Sequence, residues 1–259
     1  MWVNILLNLV GFGEQDAAEK ILLLNPELAI KQGNLIDCTG RLYKGISALQ
    51  YSVWALDYYM WSMILPHINN ANLEEVARTQ LRELPGLNEK GFITEEINNR
   101  WPSLGWHQLI DAYNKYLKEG LITKVWKEQV GGAQLLLPAH VINKYSRPTL
   151  NMFRHHNRKW GSNVPRTGVI DWKTAEKGNH IENGKYTLGK DFAWLRGDDD
   201  YQARAAELCI YPLSTVQRAN EDVRAVAELM KARVEQARML LSPQRSPKLP
   251  TLSLLKQQF

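Results

Sequence analysis

A chain of 259 residues, with 44% hydrophobic and 23% charged residues, has the composition of an ordinary folded protein, which excludes wholesale intrinsic disorder. Its mean hydropathy of -0.37 and its short apolar runs exclude a membrane-spanning helix. Its two cysteines, Cys38 and Cys209, are too few for a disulfide scaffold or a four-cysteine zinc site. The net charge of +5 is too small to indicate a nucleic-acid partner unless the charges are clustered.

Residues 1–66 are predicted to form pairs of helices, because apolar residues at helical spacing alternate with turn-forming residues. The predicted elements are a helix over Asp16–Leu24, a break at Pro26, a turn over Asp37–Gly40, a helix capped by Ser47, and a helix that starts at Asp57 and ends at Pro66. When Gly13–Leu23 is laid on Ala55–Leu65, Leu7 falls on Leu49. This internal similarity predicts helical hairpins stacked side by side.

The rest of the chain is also predicted to be largely helical. The predicted helices are one capped by Asn72 and ending near Pro85, one over Trp106–Leu117, one from Pro138 to Tyr145, and a last one that reaches Leu241 after a capping box at Ser214–Gln217. Residues 157–190 are rich in Gly, Asn, Lys and Thr, which predicts a long irregular loop. Its short strands would be Val169–Trp172 and Lys185–Leu188, around a turn at Asn183–Gly184.

Gly45–Ser52, followed by Met60–Leu65, resembles an ankyrin repeat. That family has the pattern Gly-x-Thr-Pro-Leu-His-x-Ala before its second helix, and this chain has Gly-Ile-Ser-Ala-Leu-Gln-Tyr-Ser. Ser47 and Gln50 thus stand where the family has Thr and His. The resemblance implies helical hairpins, and because only two units are visible, the rest of the chain is expected to cap them.

A second resemblance is to ankyrin-like effector proteins that intracellular bacterial pathogens send into host cells by type IV secretion. It rests on three blocks: Asn25–Leu28 with Asp37–Arg41 and Trp54–Asp57; Leu137–Val141 with Tyr145–Pro148; and Asp191–Gly197. That group implies no single activity. It implies a protein that is present in the bacterial cytoplasm before export and then in the host cytosol. No basic segment precedes the apolar Ile5–Val10, so we expect no signal peptide.

These observations predict a mainly α fold. Two ankyrin-like helical hairpins would pack on a helical C-terminal part that carries a long loop, with room for one short β-hairpin. The predicted organisation is ankyrin-like hairpins over 1–70, a helical part over 71–241 with an irregular basic excursion over 144–190, and a flexible basic tail over 242–259.

The predicted function is binding: an effector that contacts a host protein through its ankyrin-like surface and needs no cofactor. Residues 129–170 hold no Asp or Glu, which favours an anionic partner, although a solvated basic loop is the simpler interpretation. Binding of nucleic acid or anionic lipid through 144–166 therefore remains an alternative. The predicted binding residues are Arg41, Tyr43, Lys144, Arg147, Arg154, Arg158, Lys159 and Arg166.

The other alternative is a hydrolase or transferase whose site lies between the two parts. Its candidate residues are Cys38, His140, His156 and Asp191. A nucleophilic cysteine needs a nearby base and positive charge to form its thiolate. Arg41 lies close to Cys38 in sequence, but Asp37 and Gly40 fit a structural turn equally well. Enzymatic activity is therefore the less favoured interpretation.

No metal or cofactor site is predicted. His155 and His156 are adjacent, so their side chains point in different directions and do not easily share one metal. Asp198–Asp200 lacks the alternating ligands of an EF-hand and suits a helix N-terminus. Gly11–Gly13 lacks the third glycine of a dinucleotide-binding fingerprint.

An aromatic cluster on the repeat helices has two interpretations. It consists of Trp54, Tyr58, Tyr59 and Trp61. If exposed, it would anchor a partner protein, because Trp and Tyr dominate binding hot spots. Trp54 and Trp61 are spaced to share one helix face, which favours a place in the core.

Overall fold

The structure is a computed structural model, and it describes residues 1–93, 101–119, 123–141, 181–182, 185–186 and 212–242. These residues are mostly helical, so the predicted mainly α class is confirmed. The chain divides into two compact units, one formed by Met1–Ser103 with Met230–Phe259 and the other by Leu104–Leu229. Within the described parts, every helix is too short or too polar to cross a membrane.

The first unit begins with two helices and a strand pair. Its elements in chain order are α1 (Trp2–Gly11), α2 (Gln15–Leu24), a 3-10 turn (Pro26–Ala29), β1 (Gly33–Ile36), β2 (Leu42–Ile46), α3 (Ala48–Trp54), α4 (Tyr58–Ile64), a 3-10 turn (Leu65–His67), α5 (Ala71–Arg82), β3 (Leu87–Asn88) and β4 (Gly91–Phe92). Both α1 and α4 pack on α2 and α3. The strands β1 and β2 are antiparallel, and β1 lies against α1.

The second unit contains a run of short helical elements between residues 106 and 135. Its elements are α6 (Trp106–Lys118), α7 (Thr123–Val125), a π-helical turn (Trp126–Val130), α8 (Gly131–Leu135), the antiparallel pair β5 (Ile181–Glu182) and β6 (Lys185–Tyr186), and the first part of α9 (Pro212–Leu241). The buried Trp126 ring contacts the rings of Tyr113 and Tyr116, at centroid distances of 5.7 and 4.7 Å. Residues 230–241 of α9 belong to the first unit.

Local capping signals place several helices where the sequence predicts them. Ser47 caps α3 with a full capping box, in which its hydroxyl accepts from Gln50 N and Gln50 returns a bond to the Ser47 backbone. The Asp57 side chain accepts from Met60 N and starts α4. Trp54 and Trp61 are buried, so the core interpretation of this aromatic pair is confirmed, although the two residues lie on different helices, α3 and α4, and not on one helix face.

Four predicted boundaries are corrected. Asn70, not Asn72, caps α5, because Asn70 has the extended backbone that lets its side chain accept from Leu73 N. The helix α9 already begins at Pro212, so Ser214 lies inside it and does not cap it. Residues 33–46 form a β-hairpin where only a turn was predicted. Lys185–Tyr186 is a strand, but it pairs with Ile181–Glu182, and the predicted strand over Val169–Trp172 lies outside the described residues.

Candidate functional site

The turn of the β1–β2 hairpin is organised around one buried carboxylate. Asp37 is 1% exposed. Its Oδ1 accepts hydrogen bonds from Thr39 N, Thr39 Oγ1 and Arg41 N at 3.0, 2.7 and 3.0 Å. Its Oδ2 accepts from Arg41 Nε at 2.9 Å and Tyr43 Oη at 3.2 Å, and Arg41 Nη2 lies 2.8 Å away. This turn is therefore held in one conformation by charge-assisted bonds.

The backbone of the same turn closes around these bonds. Asp37 N donates to Arg41 O at 3.0 Å, and Gly40 N donates to Asp37 O at 2.9 Å. Gly40 has a φ of 82°, a left-handed conformation that a side chain rarely adopts. The sequence Asp-Cys-Thr-Gly-Arg thus specifies a structural turn, in agreement with the simpler of its two interpretations.

Cys38 sits in a setting that disfavours its thiolate. Burial and the neighbouring Asp37 carboxylate raise the pKa of the Cys38 thiol, and the opposing effect of Arg41 is smaller. Arg41 is already paired with Asp37. A thiol that stays protonated is a poor nucleophile, so the geometry does not support the catalytic role considered for Cys38.

Arg41 and Tyr43 are not the open contact residues that the sequence suggested. Tyr43 is fully buried, with its hydroxyl on Asp37 and its ring against the Tyr51 ring at 5.0 Å. The Arg41 side chain is 13% exposed, and its Nη1 donates to Ser103 O at 3.0 Å. Both side chains point inward because they neutralise and shield the buried carboxylate of Asp37. This result removes Tyr43 from any contact surface.

The outer face of the hairpin carries an exposed apolar pair beside the exposed Asn34 and Lys44. Strand alternation buries Leu35, Tyr43 and Ile46 and turns Ile36 and Leu42 outward. Ile36 and Leu42 are directly paired across the strands and are 52% and 42% exposed. Sequence analysis missed this pair, although apolar residues on both sides of an Asp-Cys-Thr-Gly turn are a recognisable hairpin signal.

Three bonds anchor the hairpin and α3 to the segment that follows residue 100. Trp101 Nε1 donates to Lys44 O at 3.0 Å, and Trp54 Nε1 donates to Pro102 O at 3.2 Å. The third is the bond from Arg41 to Ser103 O. Each bond joins a side-chain donor to a backbone oxygen, and together they fix residues 101–103 against the hairpin and α3.

A second buried polar network lies at the start of α3. Ser47 Oγ donates to Gln80 Oε1 at 2.8 Å, and Gln80 Nε2 donates to Ile30 O at 2.6 Å. Gln50 Nε2 donates to Gln80 O at 3.1 Å and to Glu83 Oε2 at 3.2 Å. These bonds join α3, α5 and the chain after α2, and they satisfy polar groups that would be costly to bury alone. Their role is structural.

Among the remaining predicted site residues, His140 belongs to the part of the chain that the structure describes, and the others do not. The His140 ring lies 6.1 Å from the Trp106 ring, in the second unit. The others lie outside the described residues: His155, His156, Asp191, Lys144, Arg147, Arg154, Arg158, Lys159, Arg166, Asp198–Asp200 and Cys209. Among the described residues, His, Cys, Asp and Glu form no group of three or more that could hold a metal ion.

Comparison with known proteins gives one family and one relative. The family model described as the CBUA0006 C-terminal domain matches residues 106–242, which is more than half of the chain. The curated "Uncharacterized protein CBUA0006" of Coxiella burnetii (strain RSA 493 / Nine Mile phase I) is 28% identical over 217 residues, or 74% of this chain. The chain covers 62% of that protein, which is less than two thirds of its length. No solved structure matches the chain.

Proposed function

We propose that this chain, which belongs to the family of the CBUA0006 C-terminal domain, is a protein-interaction module whose contact surface is the outer face of the β1–β2 hairpin. The observation that carries the proposal is the exposed Ile36–Leu42 pair on a hairpin whose turn is locked by the buried Asp37. Exposed apolar side chains on a rigid element are what a protein partner can bury at low entropic cost.

The proposed arrangement of residues 1–66 is ankyrin-like. Its support is that α1 packs on α3 and α2 on α4, as successive helical hairpins of a stack would do, with a β-hairpin between them. The capping box of Ser47 and Gln50 also stands at the Thr and His positions of the ankyrin pattern. In such stacks the hairpins between helix pairs are available to partners.

The proposed setting is that of an effector delivered by type IV secretion into a host cytosol, where its partner is a host protein. The support is the resemblance of the three sequence blocks together with a similar protein in a bacterium. The binding of nucleic acid or lipid depends on residues outside the described ones. The enzymatic alternative depends on Cys38, whose raised thiol pKa disfavours the thiolate, or on His140 or His156 with Asp191, and of these His156 and Asp191 lie outside the described residues. Within the described part of the chain, neither alternative has an observation in its favour.

The test removes the apolar pair without disturbing the turn. Wild type, Ile36→Ser/Leu42→Ser and Val76→Ser are immobilised, and proteins captured from a host-cell lysate are quantified by mass spectrometry. Val76 is a matched control, because it is 43% exposed on α5, away from the hairpin in sequence. We expect a captured protein that the double variant loses at least tenfold and the control keeps. Equal capture by all three proteins would contradict the proposal.

A further inference from the structure

A buried arginine in the first unit rests on two tyrosine rings. Arg233 of α9 is 4% exposed. Its guanidinium carbon lies 4.8 Å from the centroid of the Tyr59 ring and 5.4 Å from that of the Tyr58 ring. Its Nη1 donates to Gln236 Oε1 at 2.7 Å. The helices α4 and α9 thus hold one guanidinium in a defined orientation.

This guanidinium lacks a negative partner among the described residues. Glu235, two residues further along the same helix, pairs with Arg238. Arg233 Nε is buried and has no hydrogen-bond acceptor in the described part of the chain. An arginine side chain remains charged when buried, and buried charges in folded proteins are normally paired. The aromatic rings attract the cation, but they supply no hydrogen-bond acceptor for Nε.

The geometry leaves one edge of the guanidinium for a ligand. Gln236 accepts from Nη1, whereas Nε, which shares the other edge with Nη2, is buried without an acceptor from the described residues; that edge has the shape to bind two oxygens of one oxyanion. Ser62, one helical turn after Tyr58 and so on the same face of α4, has a buried hydroxyl with no hydrogen-bond partner among the described residues. Tyr58, Tyr59 and Ser62 are only half-buried, so this face of α4 reaches the surface.

We propose that Arg233, with Tyr58, Tyr59 and Gln236, forms a binding site for an oxyanion, a carboxylate or a phosphate, that a ligand supplies. Arginine suits this role because its planar fork binds such groups through two parallel hydrogen bonds. The site is independent of the hairpin surface, so its failure would leave the proposed function unaffected.

The experiment measures thermal unfolding of the full chain in sodium phosphate, sodium acetate and sodium chloride at equal ionic strength and pH. We expect phosphate or acetate, at about five times its Kd, to raise Tm by about 2–4 °C over chloride. Arg233→Met should abolish the rise. Lys231→Gln, which removes a positive charge from an exposed position of the same helix, should keep it.

The two probes distinguish the two kinds of ligand. A rise with phosphate alone identifies a phosphate ligand, and a rise with acetate alone identifies a carboxylate. No rise with either probe, or an equal rise in Arg233→Met, would overturn the site. If Arg233→Met does not fold, Arg233→Lys replaces it, because lysine keeps the charge but lacks Nε and the fork. A rise in Arg233→Lys as large as in wild type would likewise overturn it.

Discussion

Asp37 shows how one buried carboxylate can organise a loop. It accepts hydrogen bonds from Thr39, Arg41 and Tyr43, and the last two bring their own polar groups into the interior with it. Burial lowers the pKa of Arg41, but Tyr43 and Asp37 outweigh that effect and the net pKa is raised. The turn is therefore held by charge-assisted hydrogen bonds, and it buries a cluster of titratable groups.

That cluster predicts a loss of stability at alkaline pH. Burial raises the pKa of Tyr51 and of Tyr43 above the ordinary value of 10.0. The folded state therefore keeps protons that the unfolded state releases, so the free energy of unfolding begins to fall near pH 9, where the Cys38 thiol of the unfolded chain ionises, and falls further as the pH rises through 10. At pH 10.5 each tyrosine should cost about 1 kcal/mol.

Urea unfolding at pH 8.0 and pH 10.5 measures this loss, and Tyr51→Phe isolates one contributor. The Tyr51 hydroxyl is buried and has no hydrogen-bond partner among the described residues, so the variant should be as stable as wild type at pH 8.0. It should lose about 1 kcal/mol less at pH 10.5. The same pH dependence in wild type and variant would show that Tyr51 does not contribute.

At the scale of the elements, Gly105 and Gly11 lie where two segments of the chain pack closely against each other. Gly105 N donates to Leu136 O at 2.9 Å, just before α6 begins. A Cβ on Gly105 would lie 2.5 Å from Leu136 Cβ and 2.7 Å from Ala133 O. Gly11, where α1 meets β1, has more room, because a Cβ there would lie 3.1 Å from Leu35 Cδ2 and 3.3 Å from Ile36 O.

These contacts predict a large cost for one Gly→Ala substitution and a small cost for another. Gly105→Ala should destabilise the protein by about 2–3 kcal/mol, because the new methyl meets backbone and Cβ atoms that have little room to move. Gly11→Ala should change the free energy of unfolding by less than about 1 kcal/mol, since a helix gains from alanine what the contact with Leu35 loses. Urea unfolding of both variants checks the order, and equal costs would contradict this account.

For the molecule as a whole, the last helix completes the N-terminal unit. Residues 230–241 of α9 belong to the unit that begins at Met1, although the two segments are far apart in sequence. The buried apolar side chains of this part are Met230, Val234, Ala237 and Leu240. The free energy gained by burying these apolar side chains is comparable to the total stability of an ordinary domain.

Removal of this segment should therefore expose the N-terminal core. We expect a chain ending at Leu229 to have a Tm lower by at least about 10 °C and to bind the dye ANS. The control chain ends at Ser242, keeps all of α9 and should unfold like the full protein. Unchanged Tm and no dye binding in the shorter chain would show that residues 230–241 do not support the first unit.

The boundaries of α2, α3 and α4 could be predicted from neighbouring residues, whereas the starts of α5 and α9 were displaced by two residues. Ser47 and Asp57 bond to backbone groups three residues away, and Pro26 ends the helix just before it, so local chemistry is enough. The apolar stripe of α9 is likewise visible in the sequence, because the helical period repeats without any distant contact. The mainly α class follows from these local patterns.

The candidate surface depended on contacts between distant residues. Arg41 and Tyr43 look like exposed binding residues in the sequence, yet Asp37 and the Ser103 carbonyl draw them inward. Whether Ile36 or Leu35 faces solvent is set by which side of the strand packs on α1, and residue type does not distinguish the two. Burial is a property of the whole packed unit, so the orientation of this hairpin emerges only when the chain is folded.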